Sequence, residues 1–169
     1  NSYDDDGRGF ARLLEAIDAI DGIERIRYES AHPKYLTSDL IRAHLELPTL
    51  CEHLHLPVQS GSNAVLERMG RGHDRDQFLS WIEALRTAKP GVGVSSDLFV
   101  GFPGETEEDF EDTLDLLDRV RFDAAFSFKY SPRPGTPAAD LADDVPVEVK
   151  IDRLRRLQEL QTKITAEAL

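Results

Sequence analysis

Asp97 stands in "VSSDLFVGFPGET" (residues 94–106), where Val94, Leu98, Phe99, Val100 and Phe102 predict a strand buried on both faces. Desolvating a carboxylate there is costly unless something pairs with it, so Asp97 is either satisfied by a neighbour or placed for a ligand. Gln59 sits in a similar way near the end of "HLHLPVQSGS" (53–62). That run also carries His53 and His55, two imidazoles on one side of a strand. Metal-dependent hydrolases built on barrels use such pairs. Pro57, Val58 and Gln59 continue the strand past them, which puts the pair towards the wrong end for a barrel site. Hydrogen-bonded structural histidines are the expected outcome, and His32, before Pro33, is expected to be a turn residue. "RMGRGHDRDQF" (68–78) sets Arg68, Arg71, His73 and Arg75 into an acidic chain. This is either a solvated corner or a contact for a carboxylate or phosphate. In "SPRPGTPA" (131–138) the prolines predict a rigid loop lining a cleft, with Lys129 and Arg133 able to meet an anion.

Positioning these groups falls to alternating elements. Phe10, Leu13, Leu14, Ile17 and Ile20 share a helical face, as do Phe78, Trp81, Ile82 and Leu85, and Phe110, Thr113, Leu114, Leu117 and Val120. Thr106-Glu-Glu-Asp109 opens the third of these helices as a capping box with Asp in place of Glu. Ile151, Leu154, Leu157, Leu160 and Ile164 mark a last amphipathic helix. Between them, 23–30, 53–60, 92–102 and 122–131 read as strands. Strand then helix at this spacing is the βα unit of an α/β parallel sheet. Ligands collect at the carboxyl ends of such strands, here "SAHPK", "VQSGS", "GFPGET" and "YSPRPGTPA". "GFPGET" lacks the Lys-Ser/Thr of a nucleotide P-loop and is expected to shape a turn whose backbone lies close to a ligand.

The 169 residues are 40% hydrophobic, enough for one core, and carry a formal charge of −12. That charge argues against a large nucleic-acid footprint on this segment. No run approaches the roughly 20 apolar residues of a membrane span, and nothing calls for export, so a cytoplasmic monomer is expected. Cys51 is the single cysteine, which excludes an internal disulfide framework and a cysteine-rich metal site; it is expected to be buried in a helix–strand connection. The sequence opens at "NSYDDD" without Met and closes inside a helical pattern, and is read as a piece of something longer.

Taken together, "LHLPVQSGSNAVLERMGRGH", "SSDLFVGFPGETEEDFEDTL" and "FSFKYSPRPGTPAADL" resemble the radical S-adenosylmethionine (SAM) methylthiotransferases over essentially the whole chain. The resemblance implies a partial (βα)6 TIM-like barrel, of which residues 1–169 would be the C-terminal two-thirds as one domain. The first strands with the cluster loop, an N-terminal domain and a C-terminal TRAM domain would lie outside it. It implies two [4Fe-4S] clusters bound outside this chain and SAM contacts at Gln59, Arg71 and Asp97. Ser60, Gly61 and Ser62 would shape the ribose side, and Phe126 or Phe128 the adenine pocket. Glu29, Lys129 and Arg133 are candidates on the substrate side. The implied reaction is methylthiolation of C2 of N6-isopentenyladenosine beside the tRNA anticodon. The tRNA would be held largely by the missing C-terminal domain, and the chain alone would be inactive with no metal ligands of its own. Rival readings are a methylthiotransferase for threonylcarbamoyl-adenosine or for a ribosomal protein, a metal-dependent hydrolase using His53 and His55, and a catalytically dead scaffold.

Overall fold

Burial follows from the alternation along the strands. The computed structural model describes Tyr3, residues 9–29 and residues 31–168. The elements run α1 (Gly9–Asp18), a 3-10 turn (Pro33–Tyr35), α2 (Ser38–Glu46), β1 (His53–His55), α3 (Asn63–Arg68), α4 (Arg75–Ala88), β2 (Gly93–Val100), α5 (Glu107–Val120), β3 (Ala124–Lys129), a second 3-10 turn (Pro137–Asp140) and α6 (Val147–Ala168). The three strands form one parallel sheet in the order β1-β2-β3. His53, Leu54 and His55 pair with Gly93, Val94 and Ser95, while Ser95 to Val100 pair with Ala124 to Lys129.

One face of this sheet is sealed by helices. Leu54, Leu56 and Val58 with Val94, Leu98 and Val100 join Phe78, Ile82, Phe110, Leu116, Leu117, Val120 and Phe122 in the core. The opposite face carries His53, His55, Ser95, Asp97, Phe99, Phe126 and Phe128, with Phe126 54% and Phe128 47% exposed. Sequence reading expects β2 to be covered on both sides; it is covered on one. Asp97 points to the side without helices, so its burial is partial.

Two predicted elements shrink. The 23–30 run makes only an isolated parallel bridge, Ile26 to Leu50, and its last residue, Ser30, lies outside the described residues. The 53–60 run pairs continuously only at 53–55 and then through a bridge from Gln59 to Leu98. Pro57 lacks an N–H, which interrupts the ladder between them. Helix α2, capped by the Thr37 hydroxyl on the Leu40 N–H, was not foreseen, and Cys51 is half-buried rather than buried. The Thr106–Asp109 capping box of α5 is present as expected.

The last helix turns inward the face its aliphatic residues predict, with Leu157 and Ile164 in the core and Leu154 and Leu160 packed against it, except that Ile151 is exposed and Lys150, Arg153 and Gln161 are buried as well. The reason lies in the "GFPGET" turn, whose Glu105 side chain is fully buried. Its Oε1 accepts from the Gly101 N–H at 2.8 Å and from Arg153 Nη1 at 2.8 Å. Burial pushes the Glu105 carboxyl up, against the pull of Arg153. Lys150 crosses Gly101 so closely that an added Cβ would lie 2.3 Å from its Cγ, and Gly101 has φ +73. This turn therefore anchors a helix, and its Phe102 lines a cleft at the end of the sheet.

Removing one partner of a buried ion pair strands the other. Arg153→Met should therefore lower the unfolding free energy by about 3–5 kcal/mol in urea titrations. Arg155→Met, on an exposed ion pair screened by solvent, should leave the urea midpoint close to that of the native protein. A second expectation concerns His44, fully buried with Nε2 2.7 Å from the Tyr28 hydroxyl. Burial lowers its pKa from 6.5 to about 4. The stability it lends is complete above pH 6.5 and is lost as the pH falls through 4, because the unfolded chain takes up the proton first. Urea midpoints between pH 6.5 and 4 should fall with a steeper slope in the native protein than in His44→Gln.

Candidate functional site

Two clefts open on the uncovered face. The first, about 300 Å³, is lined by Gln59, Arg68, Arg71, Phe99, Tyr130 and Arg133 among others. The second, about 370 Å³, is lined by Arg27, Glu29, His53, His55, Ser95, Asp97, Ala124 and Phe126. Gln59, Arg71 and Arg133 thus come together, and so do Glu29, Asp97 and Phe126. Lys129 is exposed and lines neither cleft.

Backbone geometry at Gln59 is unusual. Its φ is +80, a left-handed value that side chains other than glycine rarely take. Two hydrogen bonds hold it there. The Gln59 N–H donates to the Asp97 carbonyl at 2.9 Å, and the Phe99 N–H donates to the Gln59 carbonyl at 2.8 Å. The clamp ties Gln59 to the Asp97 backbone on the neighbouring strand and turns its side chain into the first cleft. Strain of this kind persists where the surroundings over-determine it, often at ligand sites.

Arg71 donates from Nη2 to the Pro57 carbonyl at 2.9 Å, and its buried Nε has no partner. Burial pulls its pKa down, while the Asp97 carboxylate pulls it back up, so the two charges act on each other across the clefts. Asp97 itself has a neighbour, the first of the two outcomes its place in the strand allows: His55 Nε2 lies 3.4 Å from Oδ2, and the Asp97 side chain is 28% exposed.

Ser60 and Gly61 turn the other way. The Ser60 hydroxyl lies 3.3 Å from that of Thr113, and the Gly61 N–H donates to Thr113 Oγ1 at 2.9 Å. A Cβ on Gly61 would sit 2.4 Å from the Asp112 carbonyl. Both residues seat α5 and line neither cleft, in contrast to the ribose-side role expected of them. Ser62 caps α3 and donates to Asp109 at 2.5 Å. Arg68 reaches the Gly104 carbonyl, and Arg75 pairs with Asp112 and Asp115, so much of the basic cluster is spent on structure. His53 and His55 converge on Ser95 Oγ, at 3.1 and 2.9 Å. Among the described residues no group of three or more His, Cys, Asp or Glu is arranged to hold a metal ion. No helix among them is long and apolar enough to cross a membrane.

The donor set fits a ligand with hydroxyls and a carboxylate. Asp97 and the Gln59 amide accept from hydroxyls, and the unpartnered Arg71 Nε is a free cationic donor. Phe126 and Phe128 present bare rings. Gln59→Gly relieves the left-handed strain and loses only the side chain. Thermal melts should show it as stable as the native protein or more so by up to about 1 kcal/mol, which identifies a residue kept for something other than folding.

Residues 2–117 match the Radical SAM superfamily. A protein from Moorella thermoacetica is 52% identical over 95% of this chain, and one from Bordetella petrii is 57% identical over 94%. Each is named tRNA-2-methylthio-N(6)-dimethylallyladenosine synthase. The chain spans 36% and 32% of their lengths, about a third. The solved structure of coproporphyrinogen III oxidase from Escherichia coli, described as a radical SAM enzyme, superposes with a TM-score of 0.71 at 23% identity. The match covers 91% of this chain and 36% of that one, and shows the same fold.

Proposed function

The chain belongs to the radical SAM superfamily, and from that premise we propose that it is the SAM-holding part of a tRNA methylthiotransferase. The parent protein would place a methylthio group on C2 of N6-isopentenyladenosine beside the anticodon. The names of relatives that match 94–95% of this chain support that substrate over threonylcarbamoyl-adenosine or a ribosomal protein. In the parent protein, SAM and a [4Fe-4S] cluster bound outside this chain would supply the radical chemistry at C2, and a second cluster would serve sulfur insertion. With Cys51 as its single cysteine, the chain has no thiolate set for either cluster, so both are assigned to the rest of the parent.

The observation that carries the reading is the strained Gln59 beside the unpartnered Arg71 Nε, with Asp97 across the strand. Asp97 accepts from the ribose hydroxyls, Gln59 accepts alongside it, and Arg71 grips the methionine carboxylate. Phe126 supplies an apolar wall for the adenine. Each holds the adenosyl group in place, which is the protein's share of such chemistry. Arg133 at the rim of the first cleft and Glu29 at the rim of the second face the substrate side, with Lys129 beyond them. Because the segment is acidic, most of the grip on tRNA falls to the rest of the parent.

Asp97→Ala and Arg71→Met in the full parent protein should each weaken SAM binding by about 10- to 100-fold, the worth of a hydrogen bond to a charged group. Equilibrium dialysis with labelled SAM reads this directly. Unchanged binding in both variants would sink the reading.

A further inference from the structure

Four side chains in the second cleft join end to end. Arg27 Nη2 lies 3.0 Å from His53 Nδ1, His53 Nε2 lies 3.1 Å from Ser95 Oγ, and Ser95 Oγ lies 2.9 Å from His55 Nδ1. His55 Nε2 then faces Asp97 Oδ2 at 3.4 Å. The chemistry of the first member fixes the direction of all the others. A guanidinium only donates, so His53 Nδ1 must accept and its proton sits on Nε2. That N–H donates to Ser95 Oγ, whose own hydrogen is left for His55 Nδ1. His55 then carries its proton on Nε2, aimed at the Asp97 carboxylate. Burial together with the Arg27 charge lowers the His53 pKa, consistent with a neutral ring there.

We propose that Arg27, His53, Ser95 and His55 form a directed hydrogen-bond chain that makes His55 the positioning residue of Asp97. The role rests on the SAM-binding reading of Asp97. Without the chain, His55 has two neutral tautomers, and the one protonated at Nδ1 turns a lone pair on the carboxylate. With it, one oxygen of Asp97 is held by an N–H and the carboxylate has a fixed orientation towards the open face. The histidine pair that looks like half of a metal site is on this account an orienting device. Its starting charge comes from a residue 70 positions away from Asp97 in the sequence.

The test has two arms. Long-range proton–nitrogen correlation spectra of the full chain report the tautomer of each imidazole without any ligand. His53 and His55 should both be protonated at Nε2, and Arg27→Met should shift the tautomer at His55, three hydrogen bonds away. A purely packing role for Arg27 would not move that signal. A His55 protonated at Nδ1, or one indifferent to Arg27→Met, overturns the proposal. In the second arm, His55→Phe in the parent protein should weaken SAM binding about tenfold, while His55→Gln, which keeps an N–H near Nε2, should stay within about threefold of native. If Asp97→Ala weakens binding and His55→Phe does not, the positioning role fails and the SAM site stands. If Asp97→Ala also leaves binding unchanged, the SAM reading fails and the positioning role fails with it; the spectra then decide only whether the directed chain exists.

Discussion

The molecule depends on a parallel sheet sealed by helices on one face only. A strand has two faces because its side chains alternate, and here the odd and even positions of β2 do different work. Val94, Ser96, Leu98 and Val100 are buried on the helix side, while Ser95, Asp97 and Phe99 point away from it. Apolar burial on the first side supplies the driving force for folding, so the second side is free to hold polar and charged groups at modest desolvation cost. The clefts, the strained Gln59 and the histidine chain all lie on that second side.

Holding the carboxyl end of β2 in place falls to a buried pair at the turn whose Phe102 lines the first cleft. Glu105, at the turn after β2, receives the Gly101 N–H and the Arg153 guanidinium, which ties α6 across the strand end. Gln161 on the same helix donates to the Phe122 carbonyl just before β3. A buried ion pair is weak evidence of net stability but a strong constraint on geometry once formed. Its consequence is that β2 and β3 keep their register, and with it the juxtaposition of Asp97 with Phe126.

The sequence makes the helices with repeating apolar faces plain, and likewise the α5 capping box and the parallel βα order. Asp97 and Gln59 stand out because polar types occur within strand runs. What it hides is pairing. Nothing in "VQSGS" distinguishes Gln59, which opens to a cleft, from Ser60 and Gly61, which seat α5 against Thr113; only the positive φ at Gln59 separates them. The aliphatic face of α6 is legible, but the burial of Arg153 and Lys150 on it is not, because they are held by partners 48 and 7 residues away, Glu105 and Asp143, rather than by hydrophobicity. Helix α2 mixes polar and apolar residues on its exposed side, and its start signal is a lone Thr37 cap. His53 and His55 can be read as ligands or as structure until Ser95 is seen between them.

The central claim is that the uncovered face of this sheet is where SAM lies. A crystal structure of the parent protein soaked with SAM tests it most directly. The account predicts the ribose hydroxyls within hydrogen-bond distance of Asp97 and the methionine carboxylate at Arg71, with Gln59 keeping its positive φ. SAM seated elsewhere, with Asp97, Arg71 and Gln59 making only the contacts they already have, would contradict it.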